Sequence, residues 1–393
     1  MYGPAFYRGI LNLLFGIILA GCVTCVTTVC VGAEEAAKTE PASRSSWTQF
    51  RGNAFATGFV KDKIGDELKE LWKYEVDQGA FESTPIILDG ICYAMDLDGV
   101  LHTLDLNTGE LRWKKKTNAF SFAASPALTG DRLFVGDIDG LFYCFDLQGN
   151  EKWRFESQAE INSSASFYDG KVLFGSQDAT LYCLDQETGK LAWKIQVEDQ
   201  IRTSPTVVKD RSFVAGCDGQ LHIVDLKKGE EVGAVEIESP TGCTPAVVGD
   251  HVYFGTEAGD VFKINWKDAK VAWRFSEKRR REIRSSAAIS DKLLVVGSRS
   301  KNVYGIDLET GKEVWKFTCK RGVDSSPLII GDRVFVASTD GRVYLLDLAT
   351  GKEVWRKETG DSFSGAPAMA DGKLIIASDD GVVYCFGSEK KPG

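Results

Sequence analysis

Tryptophan recurs in this chain at an almost fixed interval. Trp72, Trp113, Trp153, Trp193, Trp273, Trp315 and Trp355 follow one another at 41, 40, 40, 80, 42 and 40 residues, and Gly233 stands where the double interval expects a further ring. A period near 40 residues confines the chain to a repeat architecture, in which each unit buries its faces against its neighbours.

Each unit has the same grammar. It opens on a Ser-Pro-like element: STP at 83–85, ASP at 124–126, SSA at 163–165, TSP at 203–205, CTP at 243–245, SSA at 285–287, SSP at 325–327 and GAP at 365–367. A short apolar run follows, then a turn such as Asp89-Gly90, a second run and a turn such as Asp139-Gly140. A third run carries an aromatic residue or His three residues before an acidic position, as in Tyr344 and Asp347, and D-x-x-T-G-K then leads into the tryptophan. Gly supplies positive φ in such turns, and Asp accepts from the turn's own N–H groups.

Four short strands per unit predict a blade, and eight units predict an all-β, eight-bladed β-propeller over residues 47–387. A ring must not leave an open edge between its first and last units. The last unit ends after GVVYCFG without a fourth strand, whereas ELKELWKYEV at 67–76 has a tryptophan strand without a blade. The N-terminal strand is therefore expected to complete blade eight.

Residues 1–33 differ in kind: an apolar run from Ile10 to Val31 precedes a polar linker at 34–46. This is an export signal or membrane anchor, and three processing readings stay open. Leu19-Ala20-Gly21-Cys22 resembles a lipobox with Cys22 as the lipidation site; Val31-Gly32-Ala33 offers an ordinary cleavage site. An uncleaved span of about 20 residues would also cross a bilayer. The expected product is periplasmic or in the cell envelope, and a polar tail at 388–393 ends the chain.

The net charge of −9 argues against a duplex nucleic-acid binder, which needs a basic face to displace counterions. Of ten cysteines, Cys22, Cys25 and Cys30 lie in the leader. Cys144, Cys183 and Cys385 share one repeat position, which suits a small apolar core residue better than a disulfide or metal framework. His102 and His222 occupy the repeated aromatic slot, so a structural role is expected for both.

The A-x-D-x-x-T-G-K-x-x-W-type repeats resemble the tryptophan-docking repeats of the pyrroloquinoline-quinone (PQQ) propeller family. WTQFRGN at 47–53 resembles the lead-in of some of its exported bacterial members. The resemblance implies that Trp72, Trp113, Trp153, Trp193, Trp273, Trp315 and Trp355 pack between blades, with a softer seam at Gly233. The family includes quinoprotein dehydrogenases and cofactor-free members such as the outer-membrane assembly lipoprotein BamB. The dehydrogenases resemble one another in long insertions, a calcium site and often a vicinal cysteine pair; this chain has no adjacent cysteines and little room in its 40-residue meter. The expectation is a monomeric scaffold with no cofactor and no catalytic residues, binding envelope proteins. The alternative is a PQQ-binding relative, or a binder of a small ligand or glycan at the funnel mouth.

The repeat also exposes positions that it does not dictate. The residue three before each Pro or its equivalent is Glu82, Ala123, Asn162, Arg202, Gly242, Arg284, Asp324 or Ser364, whereas the residue before it is mostly apolar. These side chains are expected to ring the funnel mouth on the face of the blade-to-blade loops, with Arg202 and Arg284 set against Glu82 and Asp324. On the same face Arg279, Arg280 and Arg281 form a basic knob, a candidate contact for an anionic partner.

Overall fold

The protein was analysed as a computed structural model, which describes residues 45–388. The leader with Cys22, nearly all of the linker and residues 389–393 lie outside the described residues. Every regular element among those described is a β-strand, arranged in eight antiparallel sheets of four strands, one carrying an additional strand. The chain folds as the eight-bladed propeller that its period predicts.

Within a blade the strands differ by environment. The two middle strands, such as Arg333–Ser338 and Arg342–Asp347, are buried along most of their length. They face neighbouring blades on both sides and so read as continuous apolar runs. The outer strands, such as Leu191–Gln196, alternate between exposed and half-buried residues, because only one face meets a neighbour.

Closure follows the expected route. Lys69–Glu75 pairs antiparallel with Val382–Gly387, placing Trp72 opposite Cys385. Cys144, Cys183 and Cys385 are buried free thiols in the core. Burial pushes the Cys144 thiol up to about 11 and that of Cys183 up to about 12.

The tryptophans bind blades together across their seams. Trp72 donates its indole N–H to the Leu106 carbonyl of blade one at 3.0 Å, and Trp315 donates to Leu348 of blade seven at 2.8 Å. The glycine of the neighbouring T-G turn must lack a side chain: a Cβ on Gly109 would stand 2.6 Å from the Trp72 ring, and its φ is +73°.

Blade four departs from this template with its neighbour. Gly233 carries no ring, and the matching turn of blade five has Ala269 in place of glycine. Trp266 from that turn packs against Phe213 of blade four instead, and both belong to one apolar cluster. The soft seam expected at Gly233 is filled by an indole that comes from the other side.

Candidate functional site

The Ser-Pro-like elements are linked blade to blade by hydrogen bonds around most of the channel. Ala366 N–H donates to Thr84 Oγ1 at 3.1 Å, and Thr84 N–H donates to Ser125 Oγ at 2.8 Å. The same blade-to-blade link runs from Ser164 to Ser204, Thr244, Ser286 and Ser326. Blade eight has Ala366 at the hydroxyl position; there Ser325 Oγ donates to the Gly365 carbonyl at 2.7 Å. At six of the eight seams the hydroxyl satisfies a buried N–H of the blade before it, which would otherwise be left without a partner.

Above this layer, all eight rim positions line one bowl: Glu82, Ala123, Asn162, Arg202, Gly242, Arg284, Asp324 and Ser364. The expected opposition of charges across it is not what the geometry shows. Asp324 accepts from Arg299, a neighbour on blade six, at 3.0 Å from both Nε and Nη2. Arg284 pairs with Glu282 at 2.7 Å, and Arg202 donates to Gln200 at 2.8 Å. Short local reach satisfies these guanidiniums before the width of the mouth can be crossed. Ser364 donates to Asp379, and desolvation at the rim, with the Asp379 charge, pushes the Glu82 carboxyl above its usual range.

The floor of the bowl is Phe50, part of a segment whose path the repeat could not announce. Residues 47–60 run round the inner strands inside the channel. Trp47 exchanges backbone hydrogen bonds with Ile87 of blade one, and Thr48 accepts from Leu128 of blade two. Ala54, Phe55 and Thr57 then accept from Val207, Val247 and Ile289 of blades four, five and six. Phe59–Val60 finally adds to blade seven as a parallel strand beside Leu328–Ile330. The channel is thus closed beneath the bowl by the chain's own lead-in. Arg51 anchors this segment: it is 0% exposed and donates Nη2 to the Pro327 carbonyl at 2.6 Å and to that of Ala287 at 3.1 Å. Burial lowers its pKa to about 9.

A calcium-held quinone needs oxygen donors that converge on one point. The bowl's carboxylates, Glu82 and Asp324, come from blades one and seven, and Asp324 is engaged by Arg299. Among the described residues no three His, Cys, Asp or Glu side chains are placed to share a metal. This donor set does not fit such a group.

The remaining sequence candidates are dispersed. His102 and His222 act as the tyrosines do, each placing Nε2 on the turn Asp of its own blade: Asp96 at 2.8 Å and Asp218 at 2.7 Å. Tyr182 and Tyr344 make the same bond to Asp178 and Asp340. The basic knob is smaller than the run of three arginines suggests. Arg280 is bound to the buried Asp260 at 2.6 Å, whereas Arg279 and Arg281 keep exposed side chains and give their backbone N–H groups to Glu277.

Comparison with known proteins fits this geometry. Quinohemoprotein alcohol dehydrogenase from Comamonas testosteroni superposes with a TM-score of 0.76 at 15% identity, covering 88% of this chain and 82% of that one. BamB from Moraxella catarrhalis superposes with a TM-score of 0.70 at 18% identity, covering 82% of this chain and all of that one. In sequence, 1-butanol dehydrogenase (cytochrome c) of Thauera butanivorans is 26% identical over 130 residues, 32% of this chain. That match spans only 14% of the dehydrogenase. The family model described as outer membrane protein assembly factor BamB matches residues 66–142, 139–282 and 300–390, nearly the whole propeller. The chain belongs to this PQQ-like β-propeller family.

Proposed function

We propose that the protein is an exported scaffold of the cell envelope, which binds other proteins through the face that carries the blade-to-blade loops. The observation that carries this reading is the closed floor. With residues 47–60 filling the channel, the bowl is a shallow polar surface whose eight rim positions differ from blade to blade above a layer of Ser and Thr hydroxyls that only blade eight, with Ala366, lacks. Such a surface presents side chains to a macromolecule and has no apolar interior in which to bury most of a small ligand. The BamB-described family supports an envelope setting, and the acidic surface agrees with protein partners over nucleic acid. On this reading Cys22 or the apolar leader would tether the propeller to a membrane.

The names of the dehydrogenase relatives favour a second reading, in which the bowl binds PQQ or another small ligand. One experiment separates the two. The parent and an Arg202→Ala/Arg284→Ala variant are cross-linked in native envelopes, and captured proteins are identified. The scaffold reading expects a defined partner with the parent and its loss with the variant. The same samples are titrated with PQQ and calcium. A stoichiometric chromophore or a large rise in melting temperature would overturn the scaffold reading in favour of the second.

A further inference from the structure

Two clefts at equivalent places on the propeller wall carry opposite charge. Each lies where a blade-to-blade loop meets the turn between the middle strands and the outer strand of the next blade. In the cleft between blades three and four, the lining acids are Glu198, Asp218, Glu236 and Glu238, with no Lys or Arg among them. Between blades five and six, the lining cations are Lys278, Arg279, Lys301, Lys316 and Lys320, five against two acids, the buried Glu277 and the exposed Glu313. The fold is the same in both places, so it does not dictate either sign.

Three observations mark the basic cleft as more than a solvated rim. Its five cations are all exposed, and none of their side chains makes an ion pair or hydrogen bond among the described residues. Most other cations of the blades near it, Arg274, Arg280, Arg284 and Arg299, are paired. Second, Lys301 has a φ of +72° at a turn position where six sister blades use glycine, Gly99, Gly140, Gly219, Gly259, Gly341 and Gly381, and the seventh Ala179. A left-handed lysine costs about 1–2 kcal/mol against glycine there, so its side chain is kept at the expense of the turn. Third, the buried Glu277 accepts from Tyr304 at 2.8 Å and from the N–H groups of Arg279 and Arg281. Those bonds fix the loop and hold Arg279 at the cleft.

The wall of this cleft is the outer strand Glu313–Thr318, which pairs with a neighbour on one side only. An unpaired edge can add a further strand through its backbone groups. We infer that the cleft between blades five and six docks an acidic, extended protein segment, laid along Glu313–Thr318 with its carboxylates among the lysines. A polyanionic glycan or a lipid surface could use the charge but not the strand edge, and would meet repulsion from the acidic cleft two blades away. The inference rests on the scaffold reading and names the chemistry of its partner.

The test uses a fluorescein-labelled peptide of about ten residues that alternates Glu with Val, so that one strand face is anionic. Anisotropy is expected to show saturable binding that weakens steeply with salt over a few hundred millimolar, roughly as the Debye length shrinks from about 10 Å. Lys301→Glu/Lys316→Glu should weaken it at least tenfold, as should the milder Lys301→Gln/Lys316→Gln. Glu198→Lys/Glu236→Lys, in the other cleft, should not weaken it. Melting curves matching the parent confirm that each variant is folded. Absence of saturable binding, binding indifferent to the lysine replacements, or binding of heparin or phosphatidylglycerol vesicles but not of the peptide would each overturn the inference. If the lysine variants still capture the parent's envelope partner, the cleft assignment falls and the scaffold reading stands. If the parent captures none, the scaffold reading itself falls.

Discussion

The ring of Trp266 lies 5.6 Å from that of Phe213, across the one seam whose outer strand has lost its tryptophan. Three departures from the template belong together here. Gly233 removes the ring, Ala269 puts a Cβ where the ring would dock, and Trp266 replaces the smaller residue found at its position in other blades. At the standard seams a Cβ on the docking glycine would approach the indole to 2.4–2.8 Å in several cases, so Ala269 and a tryptophan at 233 are incompatible. Trp266→Leu is therefore expected to lower stability by about 2–3 kcal/mol, less than a fully buried aromatic because this indole is half-buried. Restoring the template with Gly233→Trp, Trp266→Leu and Ala269→Gly together should recover most of that loss, whereas Gly233→Trp alone should destabilise. Urea unfolding of the set measures both.

Acid should loosen the seams through the turns on which the indoles rest. Asp347 accepts from the Thr350 hydroxyl at 2.7 Å and its N–H at 2.9 Å. The Thr350 hydroxyl first, with the backbone N–H groups and Arg333, holds this carboxyl below its usual range. Asp307 and Asp185 are lowered in the same way by Thr310 and Thr188. A carboxyl with a depressed folded-state pKa adds stability that is present above its unfolded value, near 3.8, and is lost as pH falls through the folded value. Stability should thus decline below about pH 4, and Asp347→Asn should flatten that decline while lowering stability at neutral pH. Tryptophan fluorescence against urea at several pH values reads the slope.

How much of this was legible depended on repetition. The blade count, the closing strand, the docking tryptophans and the set of rim positions all follow from a motif read several times over, so a deviation stands out against the others. Residues 47–60 occur once. Nothing in WTQFRGN states that Thr48 will accept from Leu128 or Ala54 from Val207, because those partners are 80 and 153 residues away and the bonds are between backbone groups. Side-chain pairing was equally hidden: Arg280 looked free until folding brought Asp260 within 2.6 Å. The lysines of the basic cleft come from separate strands and turns, so only the arginine run announced that sector.

The cysteines give a chemical check on blade packing. Cys92, Cys144, Cys183, Cys243 and Cys385 are 0% exposed, and burial raises every one of their thiols, Cys243 and Cys385 to about 12. The thiolate is the reactive form, so these groups should resist alkylation in the native state. Cys217, half-buried beside the acidic cleft, should label first despite its own raised pKa. Iodoacetamide treatment at neutral pH followed by peptide mass mapping should find, among the described cysteines, Cys217 modified and the six buried ones, Cys319 included, untouched until denaturant is added.

The plug offers a test of what holds the channel shut. Gly58 has a φ of +54°, and a Cβ there would stand 1.8 Å from Arg51 Nη2. That nitrogen is already fixed by the carbonyls of Ala287 and Pro327. Gly58→Ala must therefore displace the guanidinium as well as strain the backbone, a cost expected at about 2–4 kcal/mol. Arg51→Met removes the charged group but keeps most of its bulk, leaving two carbonyls without their donor at a cost of roughly 2 kcal/mol. In the Arg51→Met background the clash at Gly58 has a flexible partner in place of a pinned one. The cost of Gly58→Ala should then fall by at least about 1 kcal/mol, leaving mainly the backbone strain. A double-mutant cycle in urea measures this coupling. Strict additivity would mean that Arg51 does not hold the lead-in in place, and that the backbone bonds to the inner strands close the channel by themselves.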